Sequence, residues 1–351
     1  MPRFRSEALI ALSQAIFTTW GAPAEEAALV AGLLVDANLT GHDSHGVAQI
    51  PGYVEAYAAG LIVPGAVLEH ERETPATALL DGHWGFGQRL ASEATRLAIE
   101  KARRCGVSSV AAYHCHHIGR LGAYTQLAAD AGMVGIMAVN DGGGGQRVVP
   151  YGGIAGRLST NPLSVGLPTG TSAPLILDIS TSVVAEGQVR LKRSRGERMP
   201  LGWMLDALGH PTTDPEDFFP PRQGNLLPLG GEAGHKGYGL GVAVEVLAGI
   251  LGRAGFARAP VPSYANGVFI VVIDISRFLS PEEFVAEVQE LIRYVRSCPR
   301  RPGVAEILYP GQQAARLRQA RLHAGIELDG ETWARLRAVA EERGIQVPEH
   351  G

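Results

Sequence analysis

The chain is poor in lysine and cysteine and has no long apolar run. Lysine supplies only three of the 31 basic residues (Lys101, Lys192 and Lys236). Arginine therefore carries nearly all the positive charge, and the three lysines are candidates for roles that need a compact ammonium instead of a planar fork. Cys105, Cys115 and Cys298 are odd in number and widely spaced, which is not the pattern of a disulfide framework. No stretch approaches the roughly 20 apolar residues a membrane-spanning helix needs. The segment Met1-Pro2-Arg3-Phe4-Arg5-Ser6-Glu7 holds no apolar core of the secretory kind, so a cytoplasmic protein is expected. A net charge of -4 gives no general attraction to nucleic acid or anionic membrane, and neither is expected as a partner. A dinucleotide fingerprint of the ordinary kind is also missing. Gly85-Phe86-Gly87-Gln88-Arg89-Leu90 lacks the third glycine of Gly-x-Gly-x-x-Gly, and no acidic residue follows about 20 positions on. This loop reads as a structural turn, and a Rossmann domain is not expected.

What is present is an ordinary globular composition. Of 351 residues 46% are apolar and 19% charged, enough for two or three packed units. Apolar periodicity predicts two helices within residues 4–39, broken at Gly21-Ala22-Pro23, and a third over Ile50–Ala59. Beyond Pro64-Gly65, strands alternate with helices. Strands are predicted at Thr77–Asp81, Ser108–Tyr113, Val134–Asn140, Leu163–Leu167, Leu175–Asp178 and Val268–Asp274. Helices are predicted at Gln88–Arg104, Leu121–Ala131, Tyr238–Leu251, Pro281–Ser297, Gln312–Gly325 and Glu331–Arg343. The outline is helical ends around an α/β middle. There is no internal repeat, and the run Gly142-Gly143-Gly144-Gly145 is too short to separate domains.

The chemistry-bearing residues sit at predicted boundaries. Asp43-Ser44-His45-Gly46 puts an ionisable imidazole beside a hydroxyl that can fix its tautomer. Tyr113-His114-Cys115-His116-His117 lies at a strand's C-terminal end, where open α/β sheets place ligands. Zinc sites space paired ligands by two to four residues, so contiguous side chains do not converge on one ion and no metal is expected. A single histidine acting as acid or cofactor ligand fits better, with His114 and His116 as packed or surface groups. Val139-Asn140-Asp141-Gly142, Ser159-Thr160-Asn161-Pro162 and Leu177-Asp178-Ile179-Ser180 are further polar strand ends. An aspartate placed as Asp178 is equally suited to capping the next helix. Lys236 at a helix N-terminus opposes the dipole, and its placement asks for an anion.

Taken together, these segments resemble the malate/L-lactate dehydrogenase family, the type 2, sulfolactate dehydrogenase-like group. The matching stretches are Gly41–Val47 with Tyr53, His114–Gly122, Pro150–Gly153, Ser159–Pro162, Leu177–Ser182, Pro211–Pro215, His235–Tyr238 and Pro310-Gly311, in the family's order. The His116-His117-Ile118-Gly119-Arg120 version is most similar to the hydroxycarboxylate dehydrogenase branch. The resemblance implies an α/β fold with a three-layer α/β/α core that is not Rossmann, flanked by helical N- and C-terminal segments, and a homodimer. It divides the chain into residues 1–72, carrying Ser44 and His45 and packing with helices of 308–351, and a cofactor-binding and dimerisation region at 73–307. It implies hydride transfer between NAD or NADP and a 2-hydroxy acid/2-oxo acid pair. By position, His45 is the implied proton donor, with Ser44 and Asp178 in a relay and His117 as its rival. Gln49, Tyr53, Thr160 and Arg120 are the implied substrate contacts. The implied cofactor contacts are His117, Ile118, Gly119, Arg120, Leu121, Asn140, Asp178, Ile179, Ser180, Lys236, Pro310 and Gly311.

One departure stands out: the family commonly carries arginine, pairing with the substrate carboxylate, where this chain has Gln49. A hydrogen bond to a charged group is worth about 1.5–3 kcal/mol against about 1 for a neutral pair. Either Arg120 or Arg147 supplies the charge, or the substrate is bulkier and depends on it less. A monocarboxylate or aryl 2-oxo acid is then favoured over malate or sulfolactate. Arg190, Lys192, Arg193 and Arg195 could grip a 2′-phosphate, though such a run is more often a solvated face, and NAD or dual use is favoured. Three rivals stand beside the dehydrogenase. They are a reductase of cyclic imine carboxylates, a metal-dependent hydrolase using His114, Cys115, His116 and His117, and a silent binding protein of the same fold.

Overall fold

The protein is described here by a computed structural model covering residues 1–143, 145–258 and 265–348. Gly144 of the glycine run and the last residues of the 308–351 segment thus lie outside the described residues. A two-residue strand β1 (Arg3–Phe4) precedes helices α1 (Ser6–Thr18), α2 (Ala24–Leu39) and α3 (Ile50–Ala58). There follow β2 (Glu69–Glu73), β3 (Thr77–Gly85), α4 (Gly87–Cys105), β4 (Val107–Cys115), α5 (Gly122–Asp130), β5 (Met133–Asp141), β6 (Leu163–Leu167) and β7 (Leu175–Ile179). Next come α6 (Glu186–Ser194), the short strands β8 (Met204–Leu205), β9 (Pro211–Thr212) and β10 (Asn225–Leu226), and α7 (His235–Val244). The chain closes with β11 (Asn266–Asp274), α8 (Pro281–Arg296), α9 (Gln312–Ala324), β12 (Ile326–Glu327) and α10 (Gly330–Glu342).

Seven strands form one mixed sheet in the order β2-β3-β4-β11-β5-β6-β7. Only β3 and β4 run parallel; every other neighbouring pair is antiparallel. A Rossmann sheet is parallel, so the expected departure from that fold is observed. Helices α4 and α5 cover one face, while α7 and its π-helical continuation Glu245–Leu251 cover the other, which makes three layers. The late strand β11 sits at the centre because Val268, Ile270 and Val272 are buried, and the antiparallel β4 and β5 flank it with Val110, Ala112, Met137 and Val139.

The two ends of the chain share a core. Phe4, Leu9, Ile16, Leu34 and Tyr53 pack with Ile326, Leu328, Trp333 and Leu336, and β1 pairs with β12. A third cluster, including Val148, Val189, Met204, Phe218 and Leu226, joins α6 to the small sheet β10-β8-β9. No helix among the described residues is long and apolar enough to cross a membrane.

The predicted helices and strands all occur, with ends moved by a residue or a few. Besides the two-residue strands, two elements had no periodic signal. Strand β2 reads Glu-His-Glu-Arg-Glu, an exposed edge whose charges discourage further pairing. Helix α6 reads as a charge run, and Val189 is its one buried residue.

Candidate active site

The turn that carries Ser44 and His45 is built by a bracket of polar side chains. Residues Asp43–His45 form a 3-10 turn after α2. Buried Asn38, at the end of α2, donates to Asp43 Oδ1 (2.9 Å) and accepts from the Val47 amide (2.9 Å), tying both ends of the turn. A Cβ at Gly46 would stand 2.2 Å from Asn38 Oδ1, so the bracket requires glycine there. Arg321 of α9 grips Asp43 with two bonds of 2.7 and 3.1 Å. The amide nitrogen of Gln49 donates to the Ser44 carbonyl at 2.5 Å. Gln49 thus braces the turn while lining the cleft.

Held this way, Ser44 Oγ lies 3.1 Å from His45 Nδ1. The His45 ring faces that of His117, with centroids 5.4 Å apart and planes 29° from parallel. His117 leaves the end of β4, and its Nδ1 is 2.9 Å from the Tyr53 hydroxyl of α3. Two imidazoles 72 positions apart in sequence therefore meet because the helical body packs against the sheet's end.

Electrostatics keep both rings neutral. Burial lowers the His45 pKa to about 4, with His42 and Arg120 acting in the same direction and Asp178 against them. Burial, then the neighbouring His45 and His116, holds His117 well below the usual histidine range. Asp178 is pushed upward by burial, against the opposing pull of Arg120 and of the Gly122 amide, which donates to its Oδ2 at 2.7 Å. Asp178 therefore does cap a helix, but α5, which precedes it in the chain, and not the one that follows. Arg120 is buried and paired with Asp36 (3.0 Å), which also receives Arg318 (3.1 Å).

A cleft of about 1170 Å³ opens beside the histidine pair. The structure brings Ser44, His45, Gln49, His117, Ile118, Gly119, Leu121, Asn140 and Thr160 to its wall. Tyr53 stands behind His117, and Asp178 and Arg120 act on His45 from beyond the wall. Ile179, Ser180, Lys236, Pro310 and Gly311 are not part of that wall. Lys236 is exposed at the start of α7, and Pro310-Gly311 joins β7 to α9, its carbonyl accepting from the Ile176 amide at 3.1 Å. The runner-up cation, Arg147, does line the cleft and lies over the Phe218 ring at 5.0 Å. Of the basic run on α6, Arg190, Lys192 and Arg193 are each paired with a glutamate: Glu186, Glu197 and Glu216.

His114, Cys115 and His116 point apart from the pair. His114 bonds Asp81 (3.0 Å) and stacks on Trp84, the Cys115 thiol donates to the Asn266 carbonyl, and His116 meets Tyr53 edge-on. Among the described residues, no three such side chains are arranged to hold a metal ion.

The cleft suits a dinucleotide. At about 1170 Å³ it exceeds the roughly 300–1,000 Å³ typical of small-ligand pockets, and both polar and apolar side chains line it. Sequence reasoning missed the groups that hold this wall. Glu245, on the π-helix, accepts from Asn140 (2.8 Å) and Asn161 (3.0 Å), and Asn266 accepts from the Ile118 amide (3.0 Å). A lone buried carboxylate in an apolar helix was the available signal.

Comparison with known proteins gives one consistent result. The sequence profile described as malate/L-lactate dehydrogenase matches residues 4–337. Malate dehydrogenase of Pyrococcus abyssi is 34% identical over 352 residues, covering 98% of this chain and 96% of that one. Hydroxycarboxylate dehydrogenase B of Escherichia coli K12 is 34% identical, covering 98% and 95%. Among solved structures, sulfolactate dehydrogenase from Methanocaldococcus jannaschii superposes with a TM-score of 0.89 at 32% identity, covering 99% and 98%. The Δ1-piperideine-2-carboxylate reductase from Pseudomonas syringae does so at 0.85 and 30%, covering 97% and 100%.

Proposed function

Because the chain belongs to the malate/L-lactate dehydrogenase family, we propose that it interconverts a 2-oxo acid and its 2-hydroxy acid with NADH or NADPH. The observation that carries this reading is the facing pair His45 and His117 in the wall of a dinucleotide-sized cleft. When bound, the reduced nicotinamide supplies a hydride to the substrate's carbonyl carbon. His45 in its protonated form gives a proton to the oxygen on which charge builds, and the neutral ring takes it back in the oxidation direction. Reduction thus consumes one hydride and one proton and leaves a hydroxyl. Ser44 orients His45 through Nδ1, and Asp178 favours its charged form from behind.

Ile118, Gly119, Leu121 and Asn140 would hold the cofactor, and Thr160 and Arg147 the substrate. Arg147 takes the carboxylate because Arg120 is already neutralised by Asp36. The glutamate pairing of Arg190, Lys192 and Arg193 favours NAD over NADP, since a 2′-phosphate would have to break those pairs. Residues 1–72 with 308–351 form the catalytic-turn body, and 73–307 the cofactor-binding body. The cysteines Cys105, Cys115 and Cys298, all free, agree with a cytoplasmic location.

A homodimer is part of the same proposal. Leu240, Val246, Leu247, Ile250 and Leu251 of α7 and its π-helical extension are exposed on one chain, an apolar patch of the kind that marks an interface. Sedimentation is expected to give twice 37.1 kDa; the mass of one chain at micromolar concentration would rule the dimer out.

The function itself is tested by following NADH and NADPH oxidation against pyruvate, an aryl 2-oxo acid, oxaloacetate and a cyclic imine carboxylate. Fastest turnover is expected with NADH and a monocarboxylate or aryl 2-oxo acid. Turnover of the imine alone would favour the second reading, which the likeness to the piperideine-carboxylate reductase supports.

A further inference from the structure

We propose that Gln88 is a positioning residue that sets the tautomer of His117: its amide donates to the Tyr53 hydroxyl, the hydroxyl proton turns to His117 Nδ1, and the imidazole proton is left on Nε2. The inference rests on the proposed reading of the site only for its catalytic consequence.

The chain of bonds is short and buried. Gln88 Nε2 lies 2.7 Å from the Tyr53 oxygen, and that oxygen is 2.9 Å from His117 Nδ1. Both Gln88 and Tyr53 are 1% exposed, so bulk water does not compete. An amide nitrogen has only protons to give, so the phenol oxygen accepts there and its single proton goes elsewhere. Within its reach stand His117 Nδ1 and, farther off at 3.5 Å, the His117 carbonyl. An Nδ1 that accepts is unprotonated, and a neutral imidazole then carries its hydrogen on Nε2. Burial and the adjacent His45 keep the ring neutral.

Gly87 makes this placement possible. A Cβ there would stand 2.0 Å from the His116 carbonyl oxygen and 2.6 Å from that of His117. The first turn of α4 is therefore pressed onto the backbone of the histidine segment, which delivers Gln88 beneath Tyr53. The Gly85-Phe86-Gly87 turn thus has a role in the site itself. Its consequence is a division of labour: His117 presents an N–H donor to a bound oxygen, while His45 exchanges the proton.

Ring-nitrogen shifts of 15N-histidine protein, with His117 assigned by difference from His117→Gln, read the tautomer without any turnover. The expected wild-type pattern is a hydrogen-bonded, unprotonated Nδ1 and a protonated Nε2. Tyr53→Phe should remove the hydrogen-bond shift at Nδ1, and Gln88→Met should replace the single pattern by a mixture of both tautomers. Gln88→Met should also lower kcat at least tenfold, since a wrong tautomer of a buried catalytic histidine lowers kcat by up to about 10⁴, with the dissociation constant for the dinucleotide changed less than kcat. A protonated Nδ1 in the wild type, as the opposite amide orientation of Gln88 would produce, overturns the proposal. So does a folded Gln88→Met protein that keeps the wild-type pattern. Neither outcome depends on which 2-oxo acid is turned over, so the tautomer and the proposed activity fail separately.

Discussion

His45→Ala is expected to lower kcat for 2-oxo acid reduction by about 10²–10⁴-fold, the usual contribution of a positioned general acid. The loss should fall on kcat and leave the affinity for the dinucleotide nearly unchanged, because Ile118, Gly119, Leu121 and Asn140 line the wall independently of the 43–45 turn. Steady-state kinetics with a fluorescence titration of NADH separates the two quantities. The distinction matters because His117 is the only rival for the proton among the two facing rings. Ordinary turnover by folded His45→Ala protein would pass the acid–base role to His117. The pH profile carries the same information. With the His45 pKa near 4 in the free chain, the ring is already neutral at pH 7. Oxidation of the hydroxy acid, which needs the neutral base, should therefore hold its kcat/KM from neutrality down towards pH 5.

Acid should destabilise the fold well before its carboxylates dominate. His42, His45 and His116 each have their pKa lowered from 6.5 to about 4, chiefly by burial. Between those values the unfolded chain binds protons that the folded chain refuses. Their full contribution is thus present above pH 6.5 and is lost as the pH falls towards 4. For His116, 3% exposed, the loss between pH 7.5 and pH 5 is about 2 kcal/mol by that linkage. Asp141, raised from 3.8 to about 6 by burial, acts in the opposite sense and returns about 1 kcal/mol over the same interval. Denaturant unfolding at the two pH values measures the sum, and His116→Phe isolates one ring. The variant's stability should change between pH 7.5 and pH 5 by about 2 kcal/mol less than the wild type's. Equal pH dependence in both proteins would mean that His116 is not held neutral by the fold.

Periodicity was a good guide to elements and a poor one to neighbours. Helices α1, α2 and α3, and strands β3 to β7, announce themselves by local apolar spacing, which depends only on residues a few positions apart. Strand β2 and helix α6 do not, because their polarity reflects exposure and not period. Strand β11 was legible as a buried strand, but nothing local says that it threads between β4 and β5. The site follows the same division. Ser44, His45 and His117 are recognisable as chemistry, whereas Gln88 was read as part of a turn, and Glu245 was passed over inside an apolar helix. Arg120 and Arg147 look equivalent in sequence until Asp36 is found against one and the cleft against the other.

The order of residues alone determined most of the longer helices and strands, the absence of a Rossmann phosphate loop and which side chains can carry protons, since these depend on local propensity and intrinsic chemistry. Only the tertiary structure decided which imidazoles face each other, which cation is left for a substrate and how far burial lowers each pKa. Those properties come from groups distant in sequence, such as Asn38 with Val47, Tyr53 with His117 and Asp178 with Gly122, and from the exclusion of water that their packing brings about.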